Sequence, residues 1–107
     1  MFRDTAIQLW PVLILLEIPG PHRDYLVMFI SSQVNQALAG VDFVLDSAHP
    51  AFRRSGLKTA SVFKVSKLAS LSDTMLLGSL GHLDESVFHV LVERLVGLLR
   101  SGKPAEE

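Results

Sequence analysis

Three runs between residues 55 and 83 carry most of the information about this fold. They are Ser55-Gly56-Leu57-Lys58, then Ser61-Val62-Phe63-Lys64-Val65-Ser66-Lys67-Leu68-Ala69-Ser70-Leu71, then Leu77-Gly78-Ser79-Leu80-Gly81-His82-Leu83. In the middle run Val62 and Lys64 fall on one face and Phe63 and Val65 on the other, the two-residue period of a strand. Lys67–Leu71 is expected to continue that strand after a bend. Thr74–Leu80 reads as a further short strand closed by Gly81. Ala51-Phe52-Arg53-Arg54-Ser55-Gly56, just upstream, reads as one helical turn with a glycine stop.

Working toward the N-terminus, Val12-Leu13-Ile14-Leu15-Leu16 is a continuous apolar run after Pro11, the pattern of a buried strand. Pro11 has no N–H to donate and suits a strand start or an edge. Pro19-Gly20-Pro21-His22 is a turn by composition. Tyr25–Ile30 is a second apolar run, so the two form a hairpin across a loop of about seven residues. Ser31-Ser32-Gln33 ends it, Val34–Gly40 reads as loop, and Val41–Leu45 as a short strand alternating around Asp42.

Toward the C-terminus lies the clearest helix. Asp84 is a good N-cap, Glu85 suits the positive first turn, and Leu83 can staple onto Phe88. Phe88, Leu91, Leu95, Leu98 and Leu99 are expected on one face, widened by Val87, Val90 and Val92. Gly102 and Pro104 supply the stop. The whole is α+β: about five short strands in a small antiparallel sheet or partly open barrel, with a C-terminal helix. Residues 1–101 read as one domain and 102–107 as a flexible tail.

Composition sets the outer limits. The chain has 107 residues, 49% of them hydrophobic and 20% charged, which excludes a disordered polymer. Trp10–Leu16 is far shorter than the roughly 20 residues needed to cross a bilayer, and no cleavage site follows it, so a cytoplasmic location and no membrane partner are expected. With no cysteine, thiolate and disulfide chemistry are excluded. His22, His49, His82 and His89 are widely spaced, so no metal site and no cofactor are expected. Neither a phosphate-binding Gly-rich loop nor a Gly-x-Ser-x-Gly elbow is present.

The net charge of −1 hides an uneven distribution. No acidic residue occurs from Ser47 to Ser72, yet Arg53, Arg54, Lys58, Lys64 and Lys67, half of the ten basic residues, lie there. Ser55, Thr59, Ser61, Ser66 and Ser70 intersperse hydroxyls. Such a field can hold a phosphodiester backbone, though a solvated face explains it as simply. Phe52 and Phe63 could stack on bases, but fit a core better.

The order of these blocks resembles the PemK/MazF family of toxin-antitoxin growth inhibitors over about residues 10–100. Trp10-Pro11-Val12-Leu13-Ile14-Leu15 is similar to the family's Arg-Pro-x-Leu-Val strand, and Phe29-Ile30-Ser31-Ser32-Gln33 to its hydroxyl-bearing strand end. Ser55–Leu71 and Leu77–Leu83 are similar to the family's two most specific blocks. The resemblance implies an SH3-like barrel, a homodimer, a cognate antitoxin that occupies the RNA groove, and metal-independent cleavage of single-stranded RNA by attack of a ribose 2′-hydroxyl. It puts Ser31, Lys64 and Ser66 at the catalytic positions and Ser32 and Gln33 beside them at the strand end; together with the basic stretch, Ser32, Gln33, Arg53, Arg54, Lys58 and Lys67 are the expected RNA contacts.

Three departures mark the chain as divergent. Trp10 stands where the family has its Arg. Ser66 stands where some members have an Asp base. The Gly-Asp-hydrophobic first strand has no counterpart; Phe2-Arg3-Asp4 matches only the turn after it. Three readings stay open: a ribonuclease toxin, weak or inactive; a degenerate module that only dimerises or binds an antitoxin; and a reading frame started one strand, about ten residues, too late.

Overall fold

A computed structural model describes residues 2–3 and 9–105 of the protein. Asp4, in the expected N-terminal turn, and Glu106 and Glu107, in the expected tail, lie outside the described residues. Phe2–Arg3 (β1) and Leu9–Trp10 (β2) form a two-stranded antiparallel ladder. Val12–Ile18 (β3), Asp24–Ser31 (β4), Phe43–Leu45 (β5) and Ser61–Ser72 (β6) form an antiparallel sheet in the order β3-β4-β6-β5. Phe52–Ser55 is one helical turn (α1), and Glu85–Ser101 is the C-terminal helix (α2). The chain is thus α+β, with a curled four-stranded sheet and one long helix. Among the described residues no helix is long and apolar enough to cross a membrane.

The hairpin of β3 and β4 forms as expected, though its loop is tighter, running only from residue 19 to 23. Leu15 is the extra residue of a bulge in β3, between the Ile14↔Val27 and Leu16↔Leu26 pairs. A bulge of this kind increases local twist and helps to curl a sheet. Ile14 and Leu16 face solvent, while Leu13 and Leu15 pack toward the core.

β6 is the spine of the sheet. Its two ends pair with β4, Leu68–Ser72 against Asp24–Met28 and Val62–Phe63 against Ile30–Ser31. Between them Lys64–Lys67 span a stretch where β4 supplies only Phe29, and this is the expected bend. The first arm also pairs with β5 through Ser61, Val62 and Phe63. Met28, Ile30, Leu45, Phe63 and Val65 form the buried centre, closed on one side by Val87 and Leu91 of α2. Phe63 is buried and Phe52 half-buried against that centre, so both serve the core.

Two expected strands differ. Thr74–Leu80 is not a strand: the Ser72 hydroxyl accepts from the Thr74 N–H at 3.2 Å and caps a 3-10 turn at Asp73–Met75, and residues 77–84 follow without regular structure. The segment is held by the His82 N–H, which donates to the Arg54 carbonyl at 2.8 Å. The strand expected at Val41–Leu45 begins only at Phe43, because the Val41 and Asp42 N–H groups bond back to the Leu38 carbonyl in a turn.

The helix starts where expected: Asp84 accepts from the Ser86 N–H at 2.9 Å. Its inward face is rotated from the expected one. Val87 and Leu91 are the buried residues, with Leu95 and Leu98 packed beside them, whereas Leu99 is 78% exposed. At 100° per residue, Val87, Leu91 and Leu98 lie within about 40° of each other, and Leu99 falls about 120° from Val87. Gly102 ends the helix in the left-handed conformation, its N–H donating to Leu98 at 2.8 Å. The chain then returns to the body of the domain, where the Ala105 N–H donates to the Gly40 carbonyl at 2.9 Å.

Candidate functional site

The end of β4 and the bend of β6 enclose a cleft of about 260 Å³. Its polar wall consists of Ser31, Gln33, Gln36, Lys64 and Lys67, set against Phe29 and Ile30. Sequence-distant groups meet there because β4 and β6 are neighbours and β6 bends at Lys64–Lys67. After Gln33, Val34–Gln36 forms a 3-10 turn, and its Gln36 lines the cleft. The Ser31 hydroxyl oxygen accepts from the Gln33 N–H at 3.0 Å, folding the chain sharply after the strand.

Behind the cleft lies a buried carboxylate. The Asp42 side chain is wholly inaccessible to solvent, and its Oδ2 accepts from Lys64 Nζ at 2.5 Å and from the Leu38 N–H at 2.9 Å. Oδ1 accepts from the Val65 N–H at 3.2 Å. A carboxylate removed from water requires this kind of full pairing. The Arg94 guanidinium donates to the Asp42 backbone carbonyl and lies 5.8 Å from the centre of the Phe43 ring, a cation–π distance. Lys64 keeps 13% of its side chain exposed, on the cleft side where it contributes to the lining.

Four of the nine residues singled out from sequence line this cleft: Ser31, Gln33, Lys64 and Lys67. Lys67 is exposed and makes no ion pair among the described residues. Ser32 and Ser66 are exposed and are not among the lining residues. Arg53 and Arg54 lie on α1, and Lys58 follows its glycine stop; all three are exposed. Arg54 lines a separate concavity with Leu83, Asp84 and Glu85. The basic segment is therefore divided between the cleft and the α1 surface.

Chemically, the cleft offers two ammonium groups, one hydroxyl and two carboxamides, a donor-rich set suited to a polyanion. Among the described residues no carboxylate or imidazole belongs to its lining. Among the described residues no cluster of three His, Asp or Glu side chains could hold a metal ion. Sequence reasoning missed Gln36 and Asp42. Asp42 carried a signal nonetheless, an acid inside the apolar run Val41–Leu45, since a buried charge demands a partner. The chain matches no protein-family model and no curated protein sequence.

Proposed function

We propose that this chain is a divergent toxin of the PemK/MazF type, an SH3-like barrel that binds single-stranded RNA in the Ser31–Lys67 cleft and cleaves it without a metal. In this reading Lys64 and Lys67 hold the phosphodiester, and Ser31 donates to a phosphate oxygen. The ribose 2′-hydroxyl loses its proton to solvent water and attacks the adjacent phosphorus, the bond to the 5′-oxygen breaks, the leaving oxygen takes a proton from water, and a 2′,3′-cyclic phosphate and a 5′-hydroxyl result. The chain acts in the cytoplasm as a homodimer, and a cognate antitoxin silences it by occupying the cleft.

The observation that carries this reading is the convergence of Ser31, Lys64 and Lys67 from two strands, and Gln33 from the turn after β4, in one concavity. Incubation of the purified chain with a labelled RNA in EDTA tests it. Products ending in a 2′,3′-cyclic phosphate, together with growth arrest on expression, are the expected result.

One observation favours a second reading, the catalytically degenerate module. Ser66, at the family's Asp position, is absent from the cleft lining, and among the described residues no carboxylate replaces it there. RNA or antitoxin binding without cleavage identifies that module. Failure to bind RNA and failure to bind the product of the adjacent gene overturn both readings.

A further inference from the structure

We propose that Asp42 is a positioning residue for the cleft: held by two backbone N–H groups, its buried carboxylate sets the place of the Lys64 ammonium. The proposal deepens the RNA reading and rests on it for its effect on RNA affinity, but not for its effect on Lys64 itself.

The geometry runs in two steps. The Leu38 N–H at 2.9 Å and the Val65 N–H at 3.2 Å fix the carboxylate from two sides, one from the loop before β5 and one from the bend of β6. The carboxylate then holds Lys64 Nζ at 2.5 Å. With no solvent exposure, the Asp42 side chain cannot touch a ligand in the cleft, so it acts only through Lys64. An ammonium carries three N–H donors. Asp42 takes one, leaving two for an anion.

A free lysine side chain samples many rotamers. Within the described residues, Asp42 is the single ion-pair partner of Lys64. Asn at this position cannot substitute. In either amide orientation its NH₂ faces a group that is itself a donor: Val65 on one side, Leu38 and Lys64 on the other.

The test uses the full chain and two readouts. The first is the rate at which limiting acetic anhydride acylates each lysine, mapped by mass spectrometry. In the unmodified protein Lys64 is expected to react at least about tenfold more slowly than Lys58 and Lys67, and Asp42→Asn is expected to remove that protection. The second is the affinity for a 2′-O-methyl RNA oligonucleotide, which cannot be cleaved. Lys64→Ala and Asp42→Asn are each expected to weaken it about tenfold, the size of one charge-assisted contact. The double variant is expected to be no weaker than Lys64→Ala alone, since Asp42 acts through Lys64.

Additive losses in the double variant assign Asp42 a general structural role and overturn the proposal. Equal acylation of Lys64, Lys58 and Lys67 in the parent protein overturns it as well, an outcome that does not require Asp42→Asn to fold. If the parent protein binds no oligonucleotide, the RNA reading fails, while the acylation pattern still decides what Asp42 does to Lys64.

Discussion

Gly56 and Gly81 interlock. A Cβ on Gly56 would lie 2.0 Å from the Leu80 carbonyl oxygen, and one on Gly81 would lie 2.4 Å from the Arg54 carbonyl oxygen. The two glycines belong to the two sequence blocks that flank β6, and their close approach joins the end of α1 to the segment before α2. Gly56 also sits at φ +74°, a conformation that side chains disfavour. A groove of about 340 Å³ runs beside this junction between β3 and residues 78–83.

Gly81→Ala is therefore expected to destabilise the fold by about 1–3 kcal/mol through overpacking. Gly97→Ala is the control. A Cβ there meets nothing within 4 Å, and the position is helical, so a gain of about 0.5–1 kcal/mol is expected. Urea unfolding of both variants checks the contrast.

The rotation of α2 predicts opposite outcomes for two leucines. Leu91→Ala empties a fully buried site and is expected to cost about 2–5 kcal/mol. Leu99→Ala, at a position 78% exposed, is expected to stay within about 0.5 kcal/mol of the parent. Equal losses would place the helix face where the 3.6-residue stripe alone put it.

Asp84 gives a pH-dependent prediction. Hydrogen bonds from the Ser86 hydroxyl and then the Ser86 N–H hold its carboxyl below the ordinary value of 3.8. A depressed folded-state pKa contributes stability above the unfolded-state value and loses it as pH falls through the folded one. Asp84→Ala is thus expected to lower the urea midpoint at neutral pH, with the gap to the parent narrowing as the solution is acidified below 3.8. A gap that widens on acidification contradicts the capping role.

Lys67 is the exposed cation of the cleft. Under the RNA reading, Lys67→Ala weakens oligonucleotide binding regardless of base sequence and reduces the slope of log K against log salt by roughly 1. Lys58→Ala, outside the cleft, is expected to change cleft binding less. Titrations at several salt concentrations separate the two.

Local chemistry determined a good deal of this protein. Asp84 and Gly102 bound the last helix because caps act within a few residues. Gly56 ends α1 for the same reason. The alternation of Val62, Phe63, Lys64 and Val65 marked the central strand, and Pro19-Gly20-Pro21 marked the turn of the hairpin. Each of these readings depends on neighbours in sequence, and neighbours in sequence are what periodicity and capping report.

Other features were decided only by the tertiary fold. Thr74–Leu80 has the apolar content of a strand, but Ser72 caps a local 3-10 turn at Asp73–Met75 and residues 77–80 follow without regular structure. Leu99 completes an apolar stripe on paper, yet the sheet meets α2 along Val87 and Leu91. Asp42 looked like the polar member of an alternating strand. It became a buried carboxylate because the bend of β6, 22 residues away in sequence, brings the Lys64 ammonium to it. Burial, strand partnership and charge pairing are properties of the space around a residue, and long-range contacts create that space.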